Sequence, residues 1–209
     1  MAVSKNKYVD FVTDEHLLKC ISNLYDAYLE SKKGFTKSKF YGNKVDTFKL
    51  TFDSKFNDIS EEDLIKLEMA RQIGKSVNNA FANFHRQILS GVEGYEFGNY
   101  GFDIKAKDDS VFSLFLFEEV SQNYLDAIFE KLAKQANIYK AAKCFFVDFT
   151  STASYCEKWV IKPSEDSTIS HKQVFRISVD KFYEIVCKRE KALPLLNSVL
   201  RDKTNAFEN

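Results

Sequence analysis

The sequence predicts an α/β fold in which helices flank a mixed β-sheet. Two helical patterns open the chain, and strand patterns with one crossover helix, a further strand and a final helix follow them. A chain of 209 residues with 20 phenylalanines has enough bulky apolar material for a substantial core. Only 2 prolines and 7 glycines argue against long linkers. We therefore expect a single domain over residues 1–209 with a short polar C-terminal tail.

The first helix is predicted in TDEHLLKCISNLYDAYLES. Thr13 is a suitable N-cap, and Asp14 and Glu15 fall in the first turn. Apolar residues then recur at helical spacing, namely Leu17, Ile21, Leu24 and Tyr28. The lysine-rich segment that follows contains FKLTFD and is predicted to be irregular or to form a short strand.

The second helix is predicted over about 61–89, with Ser60 and Asp63 in the positions of a capping box. Its apolar residues form one stripe, made of Ile65, Met69, Ile73, Val77, Ala80, Phe84 and Ile88. A polar arc lies on the opposite side, made of Glu68, Gln72, Lys75, Asn79 and Arg86. An ordinary solvated face explains this arc, although the mixture of acid, amides and bases also suits a cleft that handles phosphate and metal.

The predicted sheet begins with the strand GFDIKAK, a turn at Asp108 and Asp109, and the strand VFSLFLFEE. A helix over about 121–137, the strand KCFFVDFT and a loop around KPSEDST come next. The strand QVFRISV and the helix DKFYEIVCKREKALPLLNSVL complete the fold, and Pro194 predicts that this helix is interrupted or restarted.

The charge balance excludes a globally basic nucleic-acid-binding protein, because 30 basic and 30 acidic side chains cancel. A local excess of lysine does occur between residues 31 and 55, where Lys32, Lys33, Lys37, Lys39, Lys44, Lys49 and Lys55 face only Asp46 and Asp53. A solvated lysine-rich surface is the simpler explanation, and a DNA contact is the functional one.

The four cysteines show no metal or redox spacing, and the three histidines are isolated along the chain. No signal peptide or membrane-spanning apolar run is evident. These features favour a cytoplasmic protein with free, buried thiols and no contact with a membrane.

Several blocks of the sequence resemble a known family. KYVDFVTDEHLLKCISNLYDAY, FYGNKVDTFKLTFDSKFN, EMARQIGKSVNNAFANFHRQIL, GFDIK, the lone KW and SHKQVFRISVDKFYEIV are similar, in order over about 7–200, to blocks of type II restriction endonucleases of the SinI-like group, which cut GGWCC-like sites. The resemblance implies the PD-(D/E)XK nuclease fold, a short GC-rich duplex DNA target, Mg²⁺-dependent hydrolysis of phosphodiesters and a cognate DNA methyltransferase acting on the same site.

The resemblance also implies where catalysis would occur. In such a centre an Asp at a strand end and an acid on the next strand hold Mg²⁺, while a Lys two residues after that acid orients the attacking water. Asp103 matches the first acid and metal ligand, but Leu114 occupies the position of the family's Glu and Leu116 that of its Lys. Phe117 stands where the family has Asn. In an alternative centre the second acid is Glu118 or Glu119 at the end of the strand, with Glu68 on the long helix as a further candidate.

The blocks that resemble the family also predict the DNA contacts and the assembly. The expected DNA-binding residues are Arg71, Gln72, Lys75, Asn78, Asn79 and His85 on the long helix, with Lys44 and Lys49 in the lysine-rich segment. Because sites of this class are near-palindromic, a two-fold protein matches them, and we expect a homodimer. Apolar residues of the first or last helix are candidates for its interface.

The sequence is consistent with three functions. The favoured one is a restriction-endonuclease-family protein that binds duplex DNA and has impaired or lost cleavage, because leucine can neither ligate a hard cation nor activate water. The second is an active Mg²⁺-dependent endonuclease that uses Glu118 or Glu119 together with Asp103. The third is a non-catalytic, protein-binding descendant of the fold.

Overall fold

The structure is a computed structural model that describes residues 6–33, 47–164 and 167–204. Its contacts divide the chain into two compact units, one formed by Met1–Cys20 with His85–Asn209 and the other by Ile21–Phe84. Helices and a mixed sheet are both present, so the predicted α/β class is confirmed. No helix in the described ranges is long and apolar enough to cross a membrane.

Three helices come first in the described chain: α1 (Asp14–Lys33), α2 (Thr47–Asn57) and α3 (Glu61–Ser90). The predicted caps are confirmed. The Thr13 hydroxyl accepts the backbone N–H of His16 at 3.2 Å, and the Ser60 hydroxyl accepts that of Asp63 at 3.1 Å. Each cap satisfies a donor that the first helical turn leaves without a partner. Sequence-local chemistry therefore sets the start of both long helices.

Helix α2 corrects the prediction of an irregular segment or short strand at FKLTFD. Alternate residues of that stretch, Phe48, Leu50 and Phe52, fit the period of a strand. Phe56, however, continues only the four-residue spacing of Phe48 and Phe52, which is the spacing of one helix face. The three phenylalanine rings are exposed, and the rings of Phe52 and Phe56 stack with their centroids 5.8 Å apart.

Six strands in the described residues form one sheet in the order β1-β2-β3-β4-β6-β5. Their bounds are β1 Tyr95–Phe97, β2 Ile104–Ala106, β3 Val111–Leu116, β4 Lys143–Asp148, β5 Cys156–Ser164 and β6 Ser167–Ser178. Strands β3, β4 and β6 are parallel, whereas the β1-β2-β3 and β5-β6 pairs are antiparallel. The segment predicted as a loop around KPSEDST therefore contains the adjoining ends of the antiparallel strands β5 and β6. Residues 165–166 lie outside the described residues.

The remaining helices are α4 (Gln122–Ile138), α5 (Val179–Cys187) and α6 (Ala192–Thr204). Helix α4 connects parallel strands β3 and β4, as the crossover geometry requires. The predicted interruption of the last helix is confirmed between α5 and α6, where Lys188 and Lys191 adopt positive φ angles of 51° and 55°. Pro194 lies in the first turn of α6, where its missing N–H leaves no hydrogen bond unmade.

Helix α4 covers one face of the sheet. The core cluster on this face contains Phe112, Leu114, Leu116, Phe129, Leu132, Cys144, Phe146 and Trp159. The rings of Phe146 and Trp159 stack with centroids 4.5 Å apart. The parallel strand β4 is buried along almost its whole length, which explains its continuous run of apolar residues.

Candidate functional site

The site begins at Asp103, which immediately precedes β2. Its backbone N–H donates to the Ser113 carbonyl on β3 at 2.9 Å, and its carbonyl accepts from the Gly98 N–H at 2.9 Å. On the N-terminal side, Gly101 has a positive φ of 78°, and Lys131 of α4 donates to the Gly101 carbonyl at 2.8 Å. The backbone before and at Asp103 is therefore fixed by both β3 and α4.

Both carboxylate oxygens of Asp103 have partners. Arg86, near the C-terminal end of α3, donates its Nε–H to Oδ1 at 2.5 Å, and the backbone N–H of Phe115 donates to Oδ2 at 2.7 Å. The side chains of Asp103 and Arg86 are 16% and 29% exposed. The guanidinium of Arg86 also lies over the Phe117 ring, 5.2 Å from its centroid. A partly buried cation thus compensates the negative charge of Asp103.

The two leucines of β3 lie in the core. Leu114 is 9% and Leu116 is 7% exposed, and both belong to the cluster under α4. Across the parallel ladder Leu114 is in register with Phe146, and Leu116 is in register with Asp148. Phe115, between them, instead contacts Phe149 with tilted rings and Phe182 edge to face. Leu114 and Leu116 therefore serve as packing residues in this strand.

The substitute acids after β3 are Glu118 and Glu119, and both side chains are exposed. Mg²⁺ needs several oxygen ligands in near-octahedral geometry. Among the described residues, no group of three or more His, Cys, Asp or Glu side chains is arranged to hold a metal ion. With Arg86 on one oxygen of Asp103 and the Phe115 backbone N–H on the other, the described residues do not fit Mg²⁺ at this point.

A second aspartate, which the sequence reasoning missed, lies at the C-terminal end of β4. Asp148 is 2% exposed and accepts hydrogen bonds from Arg176 Nη2 (2.6 Å), the Tyr155 hydroxyl (2.8 Å), and the backbone N–H (2.9 Å) and hydroxyl (2.7 Å) of Thr150. Burial by itself would raise the pKa of Asp148, but these donors outweigh it and lower the pKa to about 2. The one available signal was an acid closing the apolar run of KCFFVDFT.

His85 lies in an aromatic cluster beside the Arg86–Asp103 pair. One of its ring nitrogens, Nδ1, hydrogen-bonds with the Tyr183 hydroxyl at 2.8 Å, and its ring centroid is 4.9 Å from that of Phe149. Burial, with a smaller effect from the charge of Arg86, lowers the pKa of His85 to about 4. This histidine is therefore uncharged at pH 7, and any contact with DNA would not come from a positive charge on its ring.

The other predicted DNA-binding residues of α3 lie in the unit Ile21–Phe84. Lys75, Asn78 and Asn79 are exposed. Arg71 is exposed but donates to both oxygens of Glu68, at 2.6 and 2.7 Å, and the buried Gln72 donates to Glu68 at 2.9 Å. Lys44 lies outside the described residues. Lys49 lies on α2, where the structure describes its backbone only.

Comparison with known proteins places these features in context. The family described as Eco47II restriction endonuclease matches residues 9–207. A protein of Staphylococcus aureus, "Type II restriction enzyme Sau96I", is 34% identical over 206 residues, covering 91% of this chain and 77% of the relative.

Proposed function

Because the chain belongs to the Eco47II restriction endonuclease family, we propose that it binds a short GC-rich site in duplex DNA and that its cleavage of phosphodiesters is impaired or lost. The resemblance to type II restriction endonucleases is confirmed at the level of that class of enzyme. The SinI-like group and the GGWCC-like target are the finer part of the proposal.

The proposal of impaired cleavage rests on two apolar residues of β3. Leu114 and Leu116, which stand at the family's Glu and Lys positions, are packed into the core under α4. Neither side chain has an oxygen for a hard cation or a group that can move a proton. The remaining acid, Asp103, is paired with Arg86. Removal of one element of a catalytic centre commonly costs about 100-fold or more in rate, and here two are replaced together.

The support for DNA binding comes from α3. Lys75, Asn78 and Asn79 are exposed, and they fall in a block that resembles the family. Phosphate contacts use side chains of these types, and amides can also read base edges. Since the net charge of the chain is zero, binding must depend on such a local group of side chains.

An active endonuclease is the alternative, and one observation favours it. Glu118 and Glu119 follow β3 after Phe117 and are exposed, so either acid is accessible to Mg²⁺. In that alternative Asp103 and one of these glutamates hold Mg²⁺, with Glu68 as a further candidate acid. The homodimer, the cognate methyltransferase and the cytoplasmic location belong to the proposal in either form, and light scattering with and without a specific duplex tests the dimer.

The two functions are separated by measuring binding and cleavage on the same DNA. Duplexes with and without a GGWCC-like site are titrated at several salt concentrations, and methyl-free plasmid is incubated with Mg²⁺ or Mn²⁺. We expect salt-dependent binding and no cutting, or cutting far slower than that of an intact relative. Site-specific cutting that Asp103→Ala abolishes would instead establish the active alternative, and salt-independent or absent binding would reject the DNA-binding function.

A further inference from the structure

We propose that Arg86 acts as a built-in cation at Asp103, occupying the carboxylate that the family would use for a divalent metal ion. This inference rests on the proposed function, because it takes Asp103 to be the counterpart of the family's first acid. It goes further by assigning a role to Arg86, which the sequence identified only as a member of the polar arc on α3.

Both oxygens of the Asp103 carboxylate already accept hydrogen bonds. Oδ1 receives the Arg86 Nε–H at 2.5 Å and Oδ2 receives the Phe115 backbone N–H at 2.7 Å. A metal ion needs lone pairs of the same oxygens, and its positive charge would lie next to the guanidinium. A hard divalent cation on Asp103 therefore requires Arg86 to move away.

Arg86 is held in place from more than one side. Its guanidinium carbon lies 5.2 Å from the Phe117 ring centroid, within the range of a cation–π contact. Phe117 in turn packs on Phe149 with ring centroids 4.2 Å apart, and it lies 6.4 Å from the His85 ring. Phe117 thus provides an aromatic surface for Arg86 at a position where the resembled family has an Asn.

His85, the residue before Arg86, has its pKa lowered to about 4 and adds no positive charge at pH 7. On β3, Asp103 contacts the Ser113 carbonyl and the Phe115 backbone N–H, and the next charged side chains along the chain are the exposed Glu118 and Glu119. Arg86 is therefore the cation whose contact with Asp103 balances a carboxylate that is mostly withdrawn from water.

The test uses metal binding without DNA or activity. Mn²⁺ broadens the NMR signals of amides close to a bound ion, even when binding is weak. We expect the amides of Ile104 and Phe115 to stay sharp in the wild-type chain at Mn²⁺ concentrations that broaden exposed acidic segments. In Arg86→Gln they should broaden at a several-fold lower concentration of Mn²⁺, and the added change Asp103→Asn should remove that effect.

Controls separate the role of Arg86 as built-in cation from a loss of folding and from a failure of the proposed function. If Arg86→Gln is not folded, Arg86→Lys keeps the charge but lacks the Nε–H, and an intermediate broadening is expected. Wild-type broadening at Ile104 and Phe115 equal to that of the variant overturns this role, whether or not the chain cuts DNA. Wild-type cleavage with these two amides still sharp overturns the proposed loss of activity but leaves the role of Arg86 in place.

Discussion

Two aspartates of this molecule, Asp148 at the end of β4 and Asp103 just before β2, each pair with an arginine, yet their surroundings differ. Asp148 is almost fully buried and accepts hydrogen bonds from three side chains and one backbone N–H. Asp103 is more exposed and accepts from one side chain and one backbone N–H. The carboxylate of Asp148 is therefore held by donors from several segments, whereas the carboxylate of Asp103 has fewer hydrogen-bond partners.

The arginines differ in the same way. Arg176 lies on β6, a parallel neighbour of the strand that carries Asp148, so the sheet itself sets their distance. Arg86 reaches Asp103 from a helix, and its second contact is the ring of Phe117. The pair at Asp148 is therefore part of the sheet, while the pair at Asp103 depends on side-chain positions that a few substitutions can change.

The largest loss of stability is expected from charged substitutions at the two leucines of β3. Leu114→Glu together with Leu116→Lys places two charges in the core, and we expect a loss of about 3–6 kcal/mol in unfolding free energy. Leu116→Lys alone should cost less than Leu114→Glu alone, because residue 116 is in register with Asp148 and residue 114 with Phe146. Urea denaturation measures each loss.

The matched control for these variants is Leu114→Met with Leu116→Met, which keeps the volume and should cost less than about 1.5 kcal/mol per site. Nicking of methyl-free plasmid is assayed in the charged variants that remain folded. We expect metal-dependent nicking only when Arg86→Gln accompanies the double change. If Leu114→Glu and Leu116→Lys are each as stable as the methionine control, these two positions do not belong to the core.

Removal of the two aspartates compares the pairs directly. Asp148→Asn should lower the unfolding free energy by about 3 kcal/mol, because it leaves Arg176 without its buried counter-charge. Asp103→Asn should cost about 1 kcal/mol, since the carboxylate of Asp103 is more exposed than that of Asp148 and accepts fewer hydrogen bonds. Urea denaturation at pH 7 provides both values. Equal losses would contradict the expectation that the Asp148 contacts stabilise the fold more than the Asp103 contacts do.

The sequence predicted local features of these regions and missed those that join distant segments. The caps at Thr13 and Ser60 depend on residues three positions away, so the pattern sufficed to find them. Asp148 on β4 is hydrogen-bonded to Arg176 on β6 and to Thr150 and Tyr155 in the segment after β4. No residue spacing in the sequence predicts these contacts. The contact of Arg86 with Asp103 likewise spans 17 residues and depends on tertiary packing.

His85, beside the Arg86–Asp103 pair, and Asp148 should lower the stability of the folded chain in different pH ranges. The pKa of His85 is lowered from 6.5 to about 4, so the unfolded chain binds its proton first as the pH falls. His85 should therefore cost the folded state on the order of 2–3 kcal/mol between pH 6.5 and pH 4. The pKa of Asp148 is lowered from 3.8 to about 2, so its stabilisation is present above pH 3.8 and is lost as the pH falls towards 2.

The control for the pH experiment is His85→Gln, which has no titrating ring at this position. Urea midpoints recorded from pH 7 to pH 3 should fall less steeply in this variant than in the wild type between pH 6.5 and pH 4. Below pH 4 both proteins should lose stability together through Asp148. Parallel curves throughout the range would show that His85 titrates normally in the folded chain.

The smallest expected effect tests whether either arginine–aspartate pair contacts DNA. A lysine that releases counterions from phosphate contributes about one unit to the slope of log binding constant against log salt, so Lys75→Ala should lower the slope by about 0.9. Lys134→Ala, on α4, is the matched control, since Lys134 is an exposed lysine that the resemblance does not implicate. Arg176→Gln and Arg86→Gln should leave the slope unchanged, because each guanidinium is already paired with a carboxylate. A slope lowered by Arg86→Gln as much as by Lys75→Ala would mean that Arg86 exchanges Asp103 for phosphate when DNA binds. In that case the difference between the two aspartates would be one of accessibility to DNA as well as of structural support.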